Sequence, residues 1–222
     1  LGTIGPLLTR IRGCRYVFLF QDIFPRSASL TGVLPATGPI TGFWRWLMLH
    51  VIRSSVATVV LSEAMEQRCL LDWKTPLRLR VIHNWAVEQA LPLPKSQNIL
   101  AHDWGLDRCL TVQYSGNFGR LHELLTLLES ARLLQQDPVL FLFIGGGAKL
   151  IQIESYQTAF ALHNVLIKPY QPRDLLSLSL GACDLSAIGL IPGAEDTVAP
   201  SKFYGILASG RGVRSEEHTS EL

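Results

Sequence analysis

Long apolar runs are missing: no stretch approaches eighteen uninterrupted apolar residues, which argues against a spanning helix. The N-terminal residues also lack a charged-then-apolar leader, which argues against secretion. Cysteine is sparse. Cys14, Cys69, Cys109 and Cys183 form no C-x-x-C pair and the six histidines no H-E-x-x-H spacing, so no metal is expected, and the thiols should be reduced, as in a cytoplasmic protein. Charge is scarce too: 17% charged against 48% apolar in 222 residues excludes disorder and suffices for one ample core or two small ones. The 20 basic and 18 acidic residues leave a formal +2, too small a surplus to demand nucleic acid, so any anion site must be local. G-x-G-x-x-G and G-x-x-x-x-G-K-[ST] are both absent, which argues against nicotinamide dinucleotides and P-loop triphosphate hydrolysis.

The two ends carry their own signals. The chain opens on Leu1, without a start methionine, and its first convincing strand is 15–20, so an upstream part is expected to be missing. Residues 214–222 read RSEEHTSEL, which resembles, codon for codon, the translation of a widely used sequencing adapter, and they are set aside from fold reasoning as an artefact. Without that tail 19 basic residues face 15 acidic ones, a mildly basic balance.

From residue 108 on, short apolar runs alternate with longer periodic segments. The pattern predicts strands over 110–115, 139–144, 164–168 and 184–190, and helices over 121–135, 149–162, 173–180 and 201–208. Strands that are apolar nearly throughout, each followed by a helix, indicate a parallel sheet covered on both faces, a doubly wound α/β domain. The first hundred residues carry the same alternation more thinly, with strands over 15–20, 56–61 and 79–82 and helices near 43–53 and over 62–71. Residues 87–98 (VEQALPLPKSQN), with two prolines and little periodicity, fit a linker. The expected organisation is a partial Rossmann-like domain over 1–98, linker included, and a partial second one over 99–213. The first would lack its opening strands and the second its closing one.

The best local candidate for chemistry is Tyr114-Ser115-Gly116-Asn117-Phe118-Gly119-Arg120, between a predicted strand and helix. Glycines there let a ligand approach backbone N–H groups, a helix N-terminus behind them favours an anion, and Arg120 adds a charge. That outlines a phosphate site, although such turns also serve only to pack helix on strand. At the start of the last predicted helix, Pro200 presets a turn, Ser201 is placed to cap, and Lys202 can project toward the C-terminal sheet edge where substrates of open α/β sheets lie. An ordinary capped helix with a solvated lysine fits the same residues. Gly145, Gly146 and Gly147 end a strand, where a bulky ligand can pass or a flexible turn suffices. Glu195 and Asp196, just before the Pro-Ser-Lys turn, are either acceptors for sugar hydroxyls or solvated loop acids. Asp22, His83 and Asn84 follow strands of the first half and are cleft candidates, with an Asx turn and a structural histidine as the plainer readings. Residues 43–53 (FWRWLMLHVIR) set tryptophans beside arginines, which suits a helix in a membrane headgroup plane and equally a core-facing helix.

Taken in order, YSGNFGR, FLFIGGGAK, KPYQPRDL and APSKFYGILASGR resemble the donor half of a retaining glycosyltransferase of family 4 with the GT-B fold. The likeness is strongest to the bacterial branch that builds extracellular and cell-envelope polysaccharides. QDIFP and VIHNW resemble the second half of its acceptor domain, so the resemblance runs from about Arg15 to Val213. It implies two Rossmann-like domains and a nucleoside diphosphate sugar as substrate, with no cofactor. It implies that Gly116, Gly119 and Arg120 hold the donor diphosphate, that Lys202 reaches it with Ser201 in support, and that Tyr170 frames the base. Asn117 and Gly146 join these on the donor side; Asp22, His83 and Asn84 stand on the acceptor side. Many members carry E-x(7)-E around the last helix, where this chain has Thr197 and Gly205, which leaves Glu195 as the candidate substitute; a histidine often found before the acid of the first domain is Gln21 here.

The function so implied is transfer of a sugar to a glycan or lipid-linked acceptor with retention, on the cytoplasmic membrane face as a peripheral protein. Arg120 and Lys202 would be the catalytic cations, neutralising the departing diphosphate while the acceptor attacks on the same face. The present stretch is expected to be inactive by itself, since absent upstream strands would expose sheet edges. Two alternatives stand beside it: a sugar-nucleotide epimerase of the same architecture, and a non-catalytic relative acting as a membrane-associated assembly partner, for which the missing acidic positions speak.

Overall fold

A computed structural model describes residues 2–74, 77–86 and 89–216. The chain divides into two compact units, Leu1–Asn84 with Ile191–Ala199, and Trp85–Leu190 with Pro200–Leu222.

In the first unit the elements run α1 (Ile4–Arg12), β1 (Val17–Phe20), α2 (Arg26–Leu30), α3 (Pro39–Ser54), β2 (Ala57–Val60), α4 (Glu63–Trp73) and β3 (Leu79–Val81). The three strands pair in parallel in the order β1-β2-β3. Local chemistry sets the helix ends. Ser62 Oγ accepts from Met65 N at 3.2 Å, and Glu63 and Glu66 lie in the first turn of α4, where the helix dipole favours an acid. Phe20, Ile23, Val51, Ile52, Val60, Met65 and Cys69 form the core. Met48, Val51 and Ile52 turn one stripe of α3 into that core, so the core-facing reading of 43–53 holds for that stripe, while Phe43 and Trp46 on the same helix stay exposed. α1 was not expected. Its apolar residues Ile4, Leu7, Leu8 and Ile11 have helical spacing, and Pro6 lies in the first turn, where a missing N–H breaks nothing.

Residues 191–199 fold with the first unit, whereas the sequence placed them with the second. Ile23 N donates to Thr197 O at 2.9 Å, Asp22 and Val198 form an antiparallel bridge, and Arg26 Nε donates to Thr197 Oγ1 at 2.9 Å. Arg68 Nε reaches Asp196 Oδ2 at 2.6 Å, and Arg26 lies 3.5 Å from the other carboxylate oxygen. Burial raises the Asp196 carboxyl, but the Arg68 bond, the Thr197 hydroxyl and the Arg26 charge together hold it below its ordinary value. A depressed folded value stabilises above the unfolded carboxylate range, and the contribution is lost as pH falls through the folded value. Asp196→Ala should therefore cost about 1–2 kcal/mol at pH 7, given partial exposure, and less at pH 2. Urea unfolding at the two pH values checks this; an equal loss at both would exclude the ion pairs as the cause.

The second unit contains α5 (Ile99–Asp103), β4 (Leu110–Asn117), α6 (Leu125–Leu133), β5 (Val139–Gly146), α7 (Leu150–Ala159), β6 (Val165–Lys168), α8 (Leu176–Leu180), β7 (Leu185–Gly189), α9 (Lys202–Ala208) and β8 (Gly212–Glu216). The strands are all parallel in the order β6-β5-β4-β7-β8. Phe141 and Phe143 pack into one apolar cluster with Tyr114, Leu128 and Ile153, while Leu142 and Ile144 pack into another with Ala101, Leu106 and Ala182. A strand covered on both sides in this way is apolar throughout.

Several expectations change. α6 begins four residues later than 121, because Glu123 Oε1 accepts from Leu125 N at 2.6 Å and leaves 121–124 as loop. The predicted helix over 173–180 divides into a 3-10 turn, Arg173–Leu175, and α8. The 87–98 linker is tied down over its latter part: Lys95 Nζ donates to Asp184 Oδ2 at 2.5 Å and to Thr111 Oγ1 at 3.0 Å, and Asn98 caps α5. Residues 87 and 88 of that linker lie outside the described residues. The second sheet has a strand beyond the expected set, since β8 pairs Val213 with Ser186 and carries on through Arg214 and Ser215 into the stretch set aside as adapter-like. Residues 217–222 lie outside the described residues.

Candidate functional site

β4 and β5 stay in register to their ends, pairing Gly116 with Gly145 and Asn117 with Gly146. Gly116 and Asn117 thus finish a strand where a turn was expected. The glycines are forced by neighbours. Gly145 (φ +140°) has no room for a Cβ, which would overlap the Gly116 carbonyl oxygen. At Gly147 (φ +140°) a Cβ would overlap Asn117 Oδ1 and lie 2.9 Å from Phe118 O. Phe118 N donates to Gly146 O at 2.8 Å, and Lys149 N to Phe118 O at 3.0 Å, which laces the connecting loop to the end of β5.

Into this edge comes Lys202, the first residue of α9. Its Nζ donates to Tyr114 Oη at 2.5 Å and to Asn117 O at 3.3 Å, and lies 3.9 Å from the centre of the Tyr114 ring. Its Cε would stand 2.8 Å from a Cβ on Gly116 (φ +119°), so the glycine makes way for the lysine stem. No carboxylate pairs with it among the described residues, and burial pushes its pKa down to about 7. His122 stands edge-on to the Tyr114 ring, 6.0 Å between centres, with Nδ1 3.4 Å from Gly189 O. Burial, then the Lys202 charge, push His122 down to about 4 against the opposing Gly189 carbonyl. Lys149 Nζ donates to the His122 carbonyl at 2.5 Å. Cationic groups with only neutral oxygens for partners, at the glycine end of a parallel sheet, make a receptor for an anion.

The expected donor-side residues divide. Gly116, Asn117 and Lys202 are in mutual contact. Gly119 lies against the Asn117 side chain and His122, and Tyr170 Oη donates to Gly146 O at 3.3 Å with its ring exposed. Arg120 is exposed and makes no hydrogen bond or ion pair among the described residues, so no contact joins it to Lys202. Ser201 does not cap α9: its backbone is already helical (φ −60°, ψ −23°), and no side-chain cap bond forms. Glu195 belongs to the first unit, where its carboxylate accepts from Gly193 N at 3.2 Å and closes a turn. Asp22, His83 and Asn84 are also in the first unit, after the C-terminal ends of β1 and β3. Desolvation by the surrounding chain raises Asp22 although its surface is open. His83 Nδ1 lies 3.2 Å from Leu61 O and Nε2 3.4 Å from Glu63 Oε1. Thr197, one of the two positions where an acid is usual, is fully buried and bonded to Arg26, whereas Gly205 has ordinary room toward Leu180.

Sequence reasoning missed Tyr114 as a site residue and overlooked His122 and Lys149 altogether. Tyr114 was visible inside the glycine motif; the other two lay in or beside predicted helices with no mark of function.

No family model matches the chain. In sequence it is similar to a Pseudomonas aeruginosa protein named as a glycosyltransferase, WbjE, at 27% identity over 211 residues, covering 94% of this chain and 52% of that protein. It is also similar to an Escherichia coli K12 protein named as a colanic acid biosynthesis glycosyl transferase, WcaI, at 30% identity over 138 residues, covering 62% of this chain and 31% of that one. Among solved structures, that of Anabaena Alr3699/HepE in complex with UDP-glucose superposes with a TM-score of 0.76 at 14% identity, over 96% of this chain and 56% of that one. The chain thus spans about half the length of the first relative it matches, and less of the second.

Proposed function

From a chain that has the GT-B fold and a sequence similar to polysaccharide glycosyltransferases, we propose that the protein to which it belongs transfers a sugar from a nucleoside diphosphate donor to a glycan or lipid-linked acceptor, with retention of configuration. The observation that carries this reading is Lys202, a half-buried ammonium with no acid partner among the described residues, held at the glycine ends of β4 and β5. A diphosphate supplies the missing negative charge. As the sugar bond breaks, charge grows on the leaving diphosphate and the lysine meets it in place, with no reorganisation at the moment of reaction. Asn117 and Gly146 line the same edge, and the exposed Tyr170 ring offers a face for a base. Arg120, unheld in the free protein, closes on the diphosphate only once it is bound. Retention needs no protein nucleophile when the acceptor hydroxyl attacks on the face the diphosphate leaves.

On the acceptor side, Asp22, His83 and Asn84 stand at the corresponding edge of the first sheet. Peripheral contact with an anionic membrane is part of the proposal. Among residues 1–62 there are six arginines and a single acid, Asp22, and α1 and α3, which pack together, expose Ile4, Leu7, Ile11, Phe43 and Trp46. Cosedimentation with vesicles containing phosphatidylglycerol, and not with purely phosphatidylcholine vesicles, checks this contact. The donor reading is tested by isothermal titration with UDP and GDP. Saturable binding of one of them is expected, and heats no larger than dilution for both would refute it. Conversion of a donor sugar without acceptor by the whole protein would instead favour an epimerase, and no turnover despite nucleotide binding a non-catalytic relative.

A further inference from the structure

We propose that Tyr114 is a positioning residue of the anion site, its phenol oxygen holding the Lys202 ammonium at the glycine ends of β4 and β5 with one N–H left open for a ligand oxygen. The inference rests on the donor-site reading above and adds a residue to it.

The ring is fixed. Tyr114 is 1% exposed, with Phe118 and Phe143 at 5.8 and 6.5 Å between ring centres and His122 at 6.0 Å, so the phenol cannot swing away. Its hydroxyl is held at both ends: it accepts from Lys202 Nζ at 2.5 Å and donates to Asn117 O at 3.4 Å. The ammonium has three donors. One goes to Tyr114 Oη and one to Asn117 O, and the ring face lies 3.9 Å away, which leaves the third N–H free. A lysine packed only for its stem would send its amine to water or to an acid. This one is bound to a tyrosine 88 residues earlier in the chain. The titratable groups around it are Tyr114 on β4, His122 in the following loop, Tyr170 after β6, close enough to act on Tyr114, and, beyond His122, Lys149 before α7; none is a carboxylic acid.

The hydroxyl oxygen favours the charged amine, whereas burial disfavours it and has already brought Lys202 to about 7. Replacing Tyr114 by phenylalanine keeps the ring, its packing and the cation–π face and removes only the acceptor. The charged amine loses support, so its midpoint falls further.

The test uses the chain with ¹³C-labelled lysine, the Lys202 Cε resonance being the one absent from Lys202→Ala. The Lys202 midpoint should lie near 7 and fall by about one unit in Tyr114→Phe. UDP should bind Tyr114→Phe about tenfold more weakly at pH 7.5 but nearly normally at pH 6, and the Tyr114→Phe change should have no effect on UDP binding in a Lys202→Ala background. An unchanged midpoint, or an equal loss of affinity at both pH values, overturns the proposal. If Tyr114→Phe does not fold, biosynthetic 3-fluorotyrosine leaves the chain otherwise intact: the fluorine resonance that Lys202→Ala displaces should titrate at the Lys202 midpoint, and a pH-independent one overturns the proposal. Failure of the unsubstituted chain to bind UDP would sink the donor-site reading alone, because the midpoint comparison needs no nucleotide.

Discussion

Lys202→Ala is expected to weaken UDP binding on the order of a hundredfold. A charge-assisted contact to a phosphate oxygen is worth about 1.5–3 kcal/mol, and the upper part of that range applies because the amine is already desolvated and held by Tyr114 and Asn117. Arg120→Ala, at an exposed side chain with no fixed geometry, should cost only about threefold. The free protein gains from losing the lysine charge. Because burial depresses its folded value to about 7 from an ordinary 10.5, the unfolded chain binds one more proton between those values, and stability from this residue rises with pH across that window. Relative to Lys202→Ala, the unsubstituted chain should therefore become more stable as pH goes from 7 to 10. Titration calorimetry and urea unfolding at both pH values check the two halves. Equal UDP affinity in the two proteins would remove Lys202 from the site, and a pH-independent stability difference would mean that its ammonium is solvated.

Much of the second unit was legible because its strands are buried on both faces: Phe141 and Phe143 serve one cluster, Leu142 and Ile144 the other, and what remains in the sequence is an unbroken apolar run. The glycines were legible as positions but not as reasons. Gly145 is glycine because of Gly116, 29 residues earlier, and Gly116 because of a lysine stem 86 residues later. Contacts of that range leave no local trace. The same holds for Arg26 and Arg68, whose bonds to Asp196 and Thr197 draw 191–199 into the first unit and take Glu195 with them. β8 escaped notice because Arg214, Ser215 and Glu216 belong to the stretch set aside as adapter-like; the strand exists through its backbone pairing with β7. Lys202 and Gly116 could be picked out as chemistry, whereas Tyr114 looked like one more aromatic residue of a buried strand, which in packing terms it also is.

Gly145→Ala should be the most damaging single methyl group that can be added to the second unit. The new Cβ would overlap the Gly116 carbonyl oxygen and lie 2.9 Å from the carbonyl carbon, both backbone atoms of the paired strand, so no flexible side chain can give way. The strands cannot part locally, since Asn117 pairs with Gly146 beyond the collision and Phe118 N is bonded to Gly146 O. To this is added the cost of φ +140° for a residue with a Cβ. A loss of about 4 kcal/mol or more is expected, in the range reserved for overpacked or strained cores, and enough to melt a domain of ordinary stability. Gly105→Ala separates the two causes. Gly105 also has positive φ (+71°) but nothing within 4 Å of the added carbon, so it should cost only about 1 kcal/mol. Urea unfolding followed by far-ultraviolet circular dichroism gives both numbers. If the two variants lost equal stability, the close approach of β4 and β5 would be wrong, and with it the geometry that brings Lys202, Tyr114 and Gly146 to one edge.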